Sequence, residues 1–318
     1  MSALNPTTTQ LTGNGTLLRR TSPGLGSVIE QLGGTFKSAN GQLPYKISGP
    51  IGAGKSELDG SQGSQVLSGL LYALPMLNGG SEIHVRNLAS KPYIDMTIDI
   101  LGKFGIEIIN NNYELFQIKG NQFYKSTDYT IEGDWSGASF LLSAAAICGQ
   151  VSVCELNPDS IQADKKILNV LEMVGANAVL AGDTVSISHN NLTSFEFDAR
   201  DCPDLIPAIL PLACNCKGRS IISGLGRLKN KESDRADVLF KEFTKLGADL
   251  RIDNDSMIIH GKELSGAITD SHGDHRIAMS LAISGLNARS DLTINSSGCV
   301  AKSYPSFFRD LEHLTENK

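Results

Sequence analysis

Asp134-Trp-Ser-Gly-Ala-Ser-Phe-Leu-Leu-Ser-Ala-Ala-Ala-Ile-Cys-Gly149 sets an acidic residue in front of a run of Ala, Ser, Gly and larger apolar side chains. Related stretches begin at Asp59 (DGSQGSQVLSGLLYALP), Asp204 (DLIPAILPLACNCKG) and Asp274 (DHRIAMSLAISGL), so the four aspartates are spaced 75, 70 and 70 residues apart. Asp ahead of such a run is N-cap chemistry, and the small residues let a helix approach its neighbours closely. The segments that follow, SEIHVRNL, QVSVCEL, SIISGL and DLTINS, alternate or are β-branched and are predicted as strands.

A second series lies out of phase with the first. SVIEQLGG, DILGKFGIEI, NVLEMVGANAV and FTKLGADL each end a helical pattern with an apolar residue and Gly, at Gly33, Gly105, Gly175 and Gly247, which are 72, 70 and 72 residues apart. Gly there is the expected C′ cap, where the backbone needs positive φ. One unit therefore reads as polar turn, small-residue helix, strand, polar turn, amphipathic helix, Gly cap and strand pair. Such an α/β unit cannot bury both helices alone, so copies are expected to stack. The chain opens midway through one unit and closes midway through another, in SFFRDLEHL.

A length of 318 residues makes two domains the default at about 150 residues each. Hydrophobic residues at 41% and charged residues at 19% exclude a disordered chain, a coiled coil and a collagen-like repeat. A net charge of −6 argues against a nucleic-acid or acidic-membrane binder, so an anionic ligand has to be caught by a local cluster of Lys and Arg. No apolar run of about 18 residues predicts a membrane span, and the polar, Thr-rich start is no signal peptide. Six cysteines without CxxC spacing suit free thiols in the cytoplasm. Cys214-Asn-Cys216 lies in an apolar run and reads as buried thiols rather than a metal pair.

Gly49-Pro-Ile-Gly-Ala-Gly54-Lys55-Ser56 matches the GxxxxGK[ST] phosphate loop of a P-loop kinase. The context does not fit. The strand before it, PYKIS, is half polar, and Asp59-Gly60 falls where the first helical turn should run, so a Gly-rich turn between two β segments is expected.

The basic residues that stand out precede predicted helices: Arg19, Arg20, Lys91, Lys231, Arg235, Arg276 and Lys302. Helix N-termini present free N–H groups and a positive dipole end, so cations in repeat-equivalent turns would converge into an anion site for phosphates and carboxylates. In Lys231-Glu-Ser-Asp-Arg235 the two cations, i and i+4, are predicted on one helix face with Glu232 pointing aside. Taken alone, that pentapeptide is also a surface salt-bridge ladder.

Taken together, Asp59-Gly-Ser-Gln-Gly-Ser64-Gln65, Ser90-Lys-Pro-Tyr93, Glu132-Gly-Asp134, Pro203-Asp204, Lys231-Glu-Ser-Asp-Arg235, Asp274-His-Arg276 and Ala301-Lys302 fall in the order and spacing of the enolpyruvyl transferases. Within them the chain resembles the EPSP synthase family over essentially its whole length. The resemblance implies an α/β fold of two lobes, an inside-out α/β barrel of βαβαββ units like that of the RNA 3′-terminal phosphate cyclases. It places an incomplete lobe of about two units at residues 1–130, binding shikimate 3-phosphate, and a lobe of three units at 131–318, binding phosphoenolpyruvate. Six such units need about 420 residues, so about a hundred N-terminal residues, with the family's Lys-Ser and Asn-x-Gly-Thr contacts, are expected to be lacking, and this chain is expected to bind phosphoenolpyruvate weakly at best and to have no useful turnover.

The implied reaction moves the carboxyvinyl group of phosphoenolpyruvate to the 5-hydroxyl of shikimate 3-phosphate. Carried over position by position, Ser64, Gln65, Ser90, Asp204 and Lys231 hold shikimate 3-phosphate. Arg20, Gln65, Arg235, Arg276 and Lys302 hold phosphoenolpyruvate. Asp204 accepts the hydroxyl proton, Lys231 and Glu232 serve proton transfer at the methylene carbon, and Asp134 caps its helix. The chemistry demands no metal or other cofactor, and the resemblance implies a monomer with these two small molecules as its only partners. Three positions depart from the family pattern: Gly63 stands where many members have Ser, Arg227 where some have Asn, and the turn around Arg20 aligns with one residue of slack. The competing readings are a UDP-N-acetylglucosamine enolpyruvyl transferase, an inactive fragment that only binds ligand, and the P-loop kinase.

Overall fold

Four glycines at the expected period carry left-handed backbone, with φ of +86° at Gly33, +81° at Gly105, +78° at Gly175 and +76° at Gly247. Each closes its helix in the same way. The glycine N–H reaches the carbonyl three residues back (Glu30, Gly102, Glu172, Thr244), and the following N–H reaches the one four residues before that glycine (Ile29, Leu101, Leu171, Phe243). This is the Schellman arrangement, repeated four times.

The computed structural model describes residues 1–229 and 231–316, and the chain divides into two units, Met1–Thr130 and Ile131–Lys318. Residues 119–134 between them carry neither helix nor strand. The N-terminal unit runs β1 (Thr8–Leu11), α1 (Leu25–Gln31), β2 (Thr35–Ala39), β3 (Gln42–Ser48), β4 (Lys55–Asp59), α2 (Gln65–Ala73), β5 (Ser81–Arg86), α3 (Lys91–Lys103), β6 (Ile108–Asn111) and β7 (Leu115–Ile118). β4 and β5 are parallel, β7 runs antiparallel to β5, and β6 closes the edge, giving the order β4-β5-β7-β6. β1, β3 and β2 form a separate antiparallel sheet. The core between sheets and helices is built from Val28, Ile29, Leu67, Leu71, Ile83, Ile94, Leu101 and Phe116, all nearly or fully buried.

The C-terminal unit runs α4 (Trp135–Cys148), β8 (Gln150–Val153), α5 (Ile167–Met173), β9 (Asn177–Ala181), β10 (Thr184–Ser188), β11 (Glu196–Asp198), α6 (Ile206–Asn215), β12 (Arg219–Ser223), α7 (Arg235–Lys245), β13 (Asp249–Asp253), β14 (Ser256–His260), β15 (Ile268–Asp270), α8 (His275–Gly285), β16 (Thr293–Asn295) and α9 (Phe307–Glu316). The sheet β11-β12-β14-β13 repeats the order and directions of β4-β5-β7-β6. β8-β10-β9 is the same sheet without its first strand, and parallel β15-β16 is its first half. The βαβαββ unit is thus complete at 55–118 and at 196–260.

The small-residue helices α4, α6 and α8 pack on one another. Ala138, Ala208 and Ala278, each four residues after its repeat aspartate, are buried and keep the first turns slim enough to meet. Two of the four repeat aspartates cap as expected: Asp134 accepts from the N–H of Ser136 and Gly137, and Asp274 from that of Arg276. The other two do not. Asp59 closes an Asx turn onto the Ser61 N–H (2.9 Å), four residues before α2 starts, and Asp204 lies in a 3-10 turn with its carboxylate turned away to cations. Among the described residues no helix is long and apolar enough to cross a membrane.

Candidate active site

The starts of α4, α6 and α8 meet within reach of one side chain. Arg276, second residue of α8, donates from its NH1 to the Ser136 hydroxyl in the first turn of α4 (2.6 Å) and to the backbone carbonyl of Asp204 just before α6 (3.3 Å). Three helix N-termini then direct their positive ends to one region, which favours anions.

Asp204 is the hub. Its Oδ1 lies 2.7 Å from Arg235 NH1 and 3.2 Å from Lys231 Nζ, and its Oδ2 lies 3.4 Å from Arg276 NH2. Burial by itself raises the Asp204 carboxyl, but the charges of Arg276, Lys231 and Arg235 overturn this and hold it far below the usual carboxylate range. Arg235 is 1% exposed and donates to three carboxylates: Asp204, Glu232 (NH2, 2.5 Å) and Asp274 (Nε, 2.7 Å; NH2, 3.2 Å). Four of its five N–H bonds are thereby committed, which fits a group that organises the acids. The other oxygen of Glu232 pairs with Lys302. Burial acts to raise Glu232, and Arg235 and Lys302 prevail, bringing it down to about 2.

Two expectations for KESDR are corrected. α7 begins only at Arg235, because Asp234 caps it by accepting from the Asp237 N–H; Lys231 lies in the preceding turn and shares no helix face with Arg235. Glu232 does not point aside. It is turned inward onto Arg235 and Lys302, drawn by their charge.

Three further groups line this cluster without a mark in the sequence. Asp164, in the turn before α5, is buried and accepts from the Ser136 hydroxyl at 2.6 Å; burial and then the Asp204 charge push its carboxyl up to about 6. His275 is buried, and burial followed by the charges of Arg276 and Arg235 brings its imidazole down to about 4, so it is neutral at neutral pH. Ser136 joins Asp164 to Arg276. Signals tuned to cations at helix starts do not register a buried acid in a turn.

In the N-terminal unit, Ser64 and Ser90 occupy the N-cap positions of α2 and α3, in the two turns that follow the parallel strands β4 and β5. The turns are tied by the Ala89 N–H to the Gly60 carbonyl (3.1 Å). Both serines are buried, Gln65 is exposed, and Arg20 is half-buried at the end of a 3-10 turn. Gly63 has φ of +137°, a conformation that would strain a Ser there. Lys91 sits over the Tyr113 ring, 5.0 Å from its centroid. The GxxxxGK[ST] segment links β3 to β4: Lys55 opens a strand rather than a helix and pairs with Glu82 at 2.9 Å, which is no phosphate loop.

A family model described as EPSP synthase (3-phosphoshikimate 1-carboxyvinyltransferase) matches residues 1–311. The 3-phosphoshikimate 1-carboxyvinyltransferase of Clostridium novyi (strain NT) is 39% identical over 305 residues, covering 95% of this chain and 70% of that protein. That of Clostridium acetobutylicum is 44% identical over 274 residues, covering 86% and 64%. The solved EPSP synthase of Acinetobacter baumannii superposes with a TM-score of 0.78 at 24% identity, over 97% of this chain and 74% of that one, and so shares the α/β fold. With a family model spanning nearly the whole chain and relatives at about 40% identity, the chain belongs to the EPSP synthase family.

Proposed function

We propose that this chain, contrary to the expectation of no useful turnover, carries out the carboxyvinyl transfer of its family with the residues assembled around Asp204. The 5-hydroxyl of shikimate 3-phosphate adds to C2 of phosphoenolpyruvate while a proton enters at C3. Loss of a C3 proton and cleavage of the C2–O bond then release phosphate. The observation that carries the reading is the convergence of Lys231, Arg235 and Arg276 on one carboxylate at shared helix N-termini.

Asp204 takes the hydroxyl proton. Held by three cations it is a weak base, and that weakness is conditional. The carboxylate and phosphate of phosphoenolpyruvate compete for the same Arg276 and Lys231, and each cation drawn off raises the Asp204 pKa. The base therefore strengthens once its substrate is in place. Lys302, 47% exposed, follows the same logic toward Glu232, and Lys231 and Glu232 move the proton at C3. Arg276 and Lys302 bind the anionic groups of phosphoenolpyruvate, helped by the remaining NH1 donor of Arg235. From the N-terminal unit, Ser64, Gln65 and Ser90 bind shikimate 3-phosphate, and Arg20 with Gln65 contributes to phosphoenolpyruvate. The enzyme works as a cytoplasmic monomer on these two small molecules.

Phosphoenolpyruvate carrying 18O in the bridge between C2 and phosphorus tests the reaction class. Cleavage of C2–O delivers the label to released phosphate, and release depends on shikimate 3-phosphate. Label retained in pyruvate would mean P–O cleavage and a kinase-like reaction, release driven by UDP-N-acetylglucosamine would favour the sister transferase, and no release at all would leave a binding fragment.

A further inference from the structure

Asp164 is 4% exposed, and one of its carboxylate oxygens, Oδ1, has no hydrogen-bond partner among the described residues. An acid buried with an unanswered oxygen is costly, so its place calls for a reason. Its other oxygen accepts from Ser136 Oγ at 2.6 Å, and Ser136 Oγ accepts from Arg276 NH1 at 2.6 Å. The turn that carries Asp164 is itself held to the start of α4: Gln162 accepts from the Trp135 N–H (3.0 Å) and donates to Glu132 and to the Gly133 carbonyl (2.9 Å each).

We infer that Asp164 is a positioning residue that acts through Ser136 to fix the plane of the Arg276 guanidinium for phosphoenolpyruvate. A hydroxyl has one proton. By taking it, Asp164 turns the Ser136 lone pairs to Arg276; without that acceptor the O–H is free to swing toward the guanidinium, donor against donor. Asp204 meets Arg276 at both terminal nitrogens, its carboxylate at NH2 (3.4 Å) and its backbone carbonyl at NH1, the latter through a long 3.3 Å bond. The short Ser136 contact adds an anchor at NH1 from another repeat unit, and a planar guanidinium so held presents its Nε hydrogen and the second NH2 hydrogen in one orientation. Orientation matters because bidentate binding of a carboxylate or phosphate uses both donors at once.

The inference rests on the reading of Arg276 as a phosphoenolpyruvate ligand, so Arg276→Lys is measured beside it. Steady-state phosphate release gives kcat and the KM for each substrate. Ser136→Ala is expected to raise the KM for phosphoenolpyruvate about tenfold, with the KM for shikimate 3-phosphate and kcat changed by no more than about twofold. Ser136→Thr, which keeps the hydroxyl, stays within about twofold of the unsubstituted chain, a rescue that bulk packing alone does not predict. Asp164→Asn, whose amide can turn either face to Ser136, raises the same KM about threefold. Because Asp164 works through Ser136, the double variant is no worse than Ser136→Ala alone. Full additivity, equal losses for both substrates, or Ser136→Thr as impaired as Ser136→Ala would each overturn the inference. If Arg276→Lys leaves the KM for phosphoenolpyruvate unchanged, the ligand reading itself falls and the inference with it. If Arg276→Lys raises it and Ser136→Ala does not, only the inference falls. Should Asp164→Asn fail to fold, as its unfolding curve would show, the Ser136→Ala and Ser136→Thr pair decides.

Discussion

Lys91 and Arg235 occupy the same place in two copies of one repeat: each is the first residue of the second helix in a complete βαβαββ unit. Their surroundings could hardly differ more. Lys91 is exposed above the Tyr113 ring, whereas Arg235 is buried among Asp204, Glu232 and Asp274. The sheets around them share strand order and direction, so the fold does not make the difference. The turns do. Around residues 59–64 and 87–90 they carry mainly Ser, Gln and Gly, and around 198–204 and 229–235 they carry Asp, Lys, Glu and Arg. Helix caps and slim first turns build the frame, and a few charged turn residues turn one copy of it into a wall of paired cations and carboxylates.

Substituting the two residues sharpens the contrast most. Arg235→Met leaves three carboxylates without their shared cation, and unfolding by urea should show a loss of about 4 kcal/mol. A loss under about 1 kcal/mol would mean the cluster is not held by Arg235. Asp164→Asn should move stability the other way. The folded pKa of Asp164 is raised from 3.8 to about 6, so the fold prefers the protonated acid. That contribution is fully present below about pH 4 and lost as pH rises through 6. At pH 7.5 Asp164→Asn should unfold about 3 kcal/mol harder than the unsubstituted chain, an advantage that vanishes toward pH 4. An advantage independent of pH would contradict the assignment.

The shared frame predicts equal effects where the copies are alike. A Cβ at Gly33 or Gly247 meets nothing within 4 Å, so alanine there adds only backbone strain. Gly33→Ala and Gly247→Ala should each cost about 1 kcal/mol, one in each unit, and costs that differ by more than about twofold would show that the caps are not equivalent. Lys91→Ala should be the mildest change, under about 0.5 kcal/mol in the same urea experiment.

The period of the repeat was legible because its caps leave side-chain marks: Gly at a left-handed C′ position and small residues wherever helices touch. Arg235 and Arg276 were legible for a related reason, since each stands in the first turn of a helix, with Lys231 in the turn before α7 and Lys302 at the end of a 3-10 turn. What escaped depends on tertiary contact. Asp164 carries no local signature, because its environment comes from Ser136, Asp204 and Arg276, 28, 40 and 112 residues away. The helical pairing of Lys231 with Arg235 failed because Asp234 captures the N-cap and leaves Lys231 in a turn. Asp59 and Asp204 looked like caps by spacing, yet one closes an Asx turn and the other faces three cations.

Phosphate release by the purified chain, supplied with phosphoenolpyruvate and shikimate 3-phosphate, tests the central claim that the Asp204 cluster is the reacting centre. Asp204→Asn removes the proton acceptor while keeping its shape, and Lys241→Ala, in an exposed pair with Asp237, serves as the control. The account predicts release that requires both substrates, falls by about a thousandfold in Asp204→Asn and is unchanged in Lys241→Ala. Release that persists within about tenfold in Asp204→Asn, or that never depends on shikimate 3-phosphate, would contradict it.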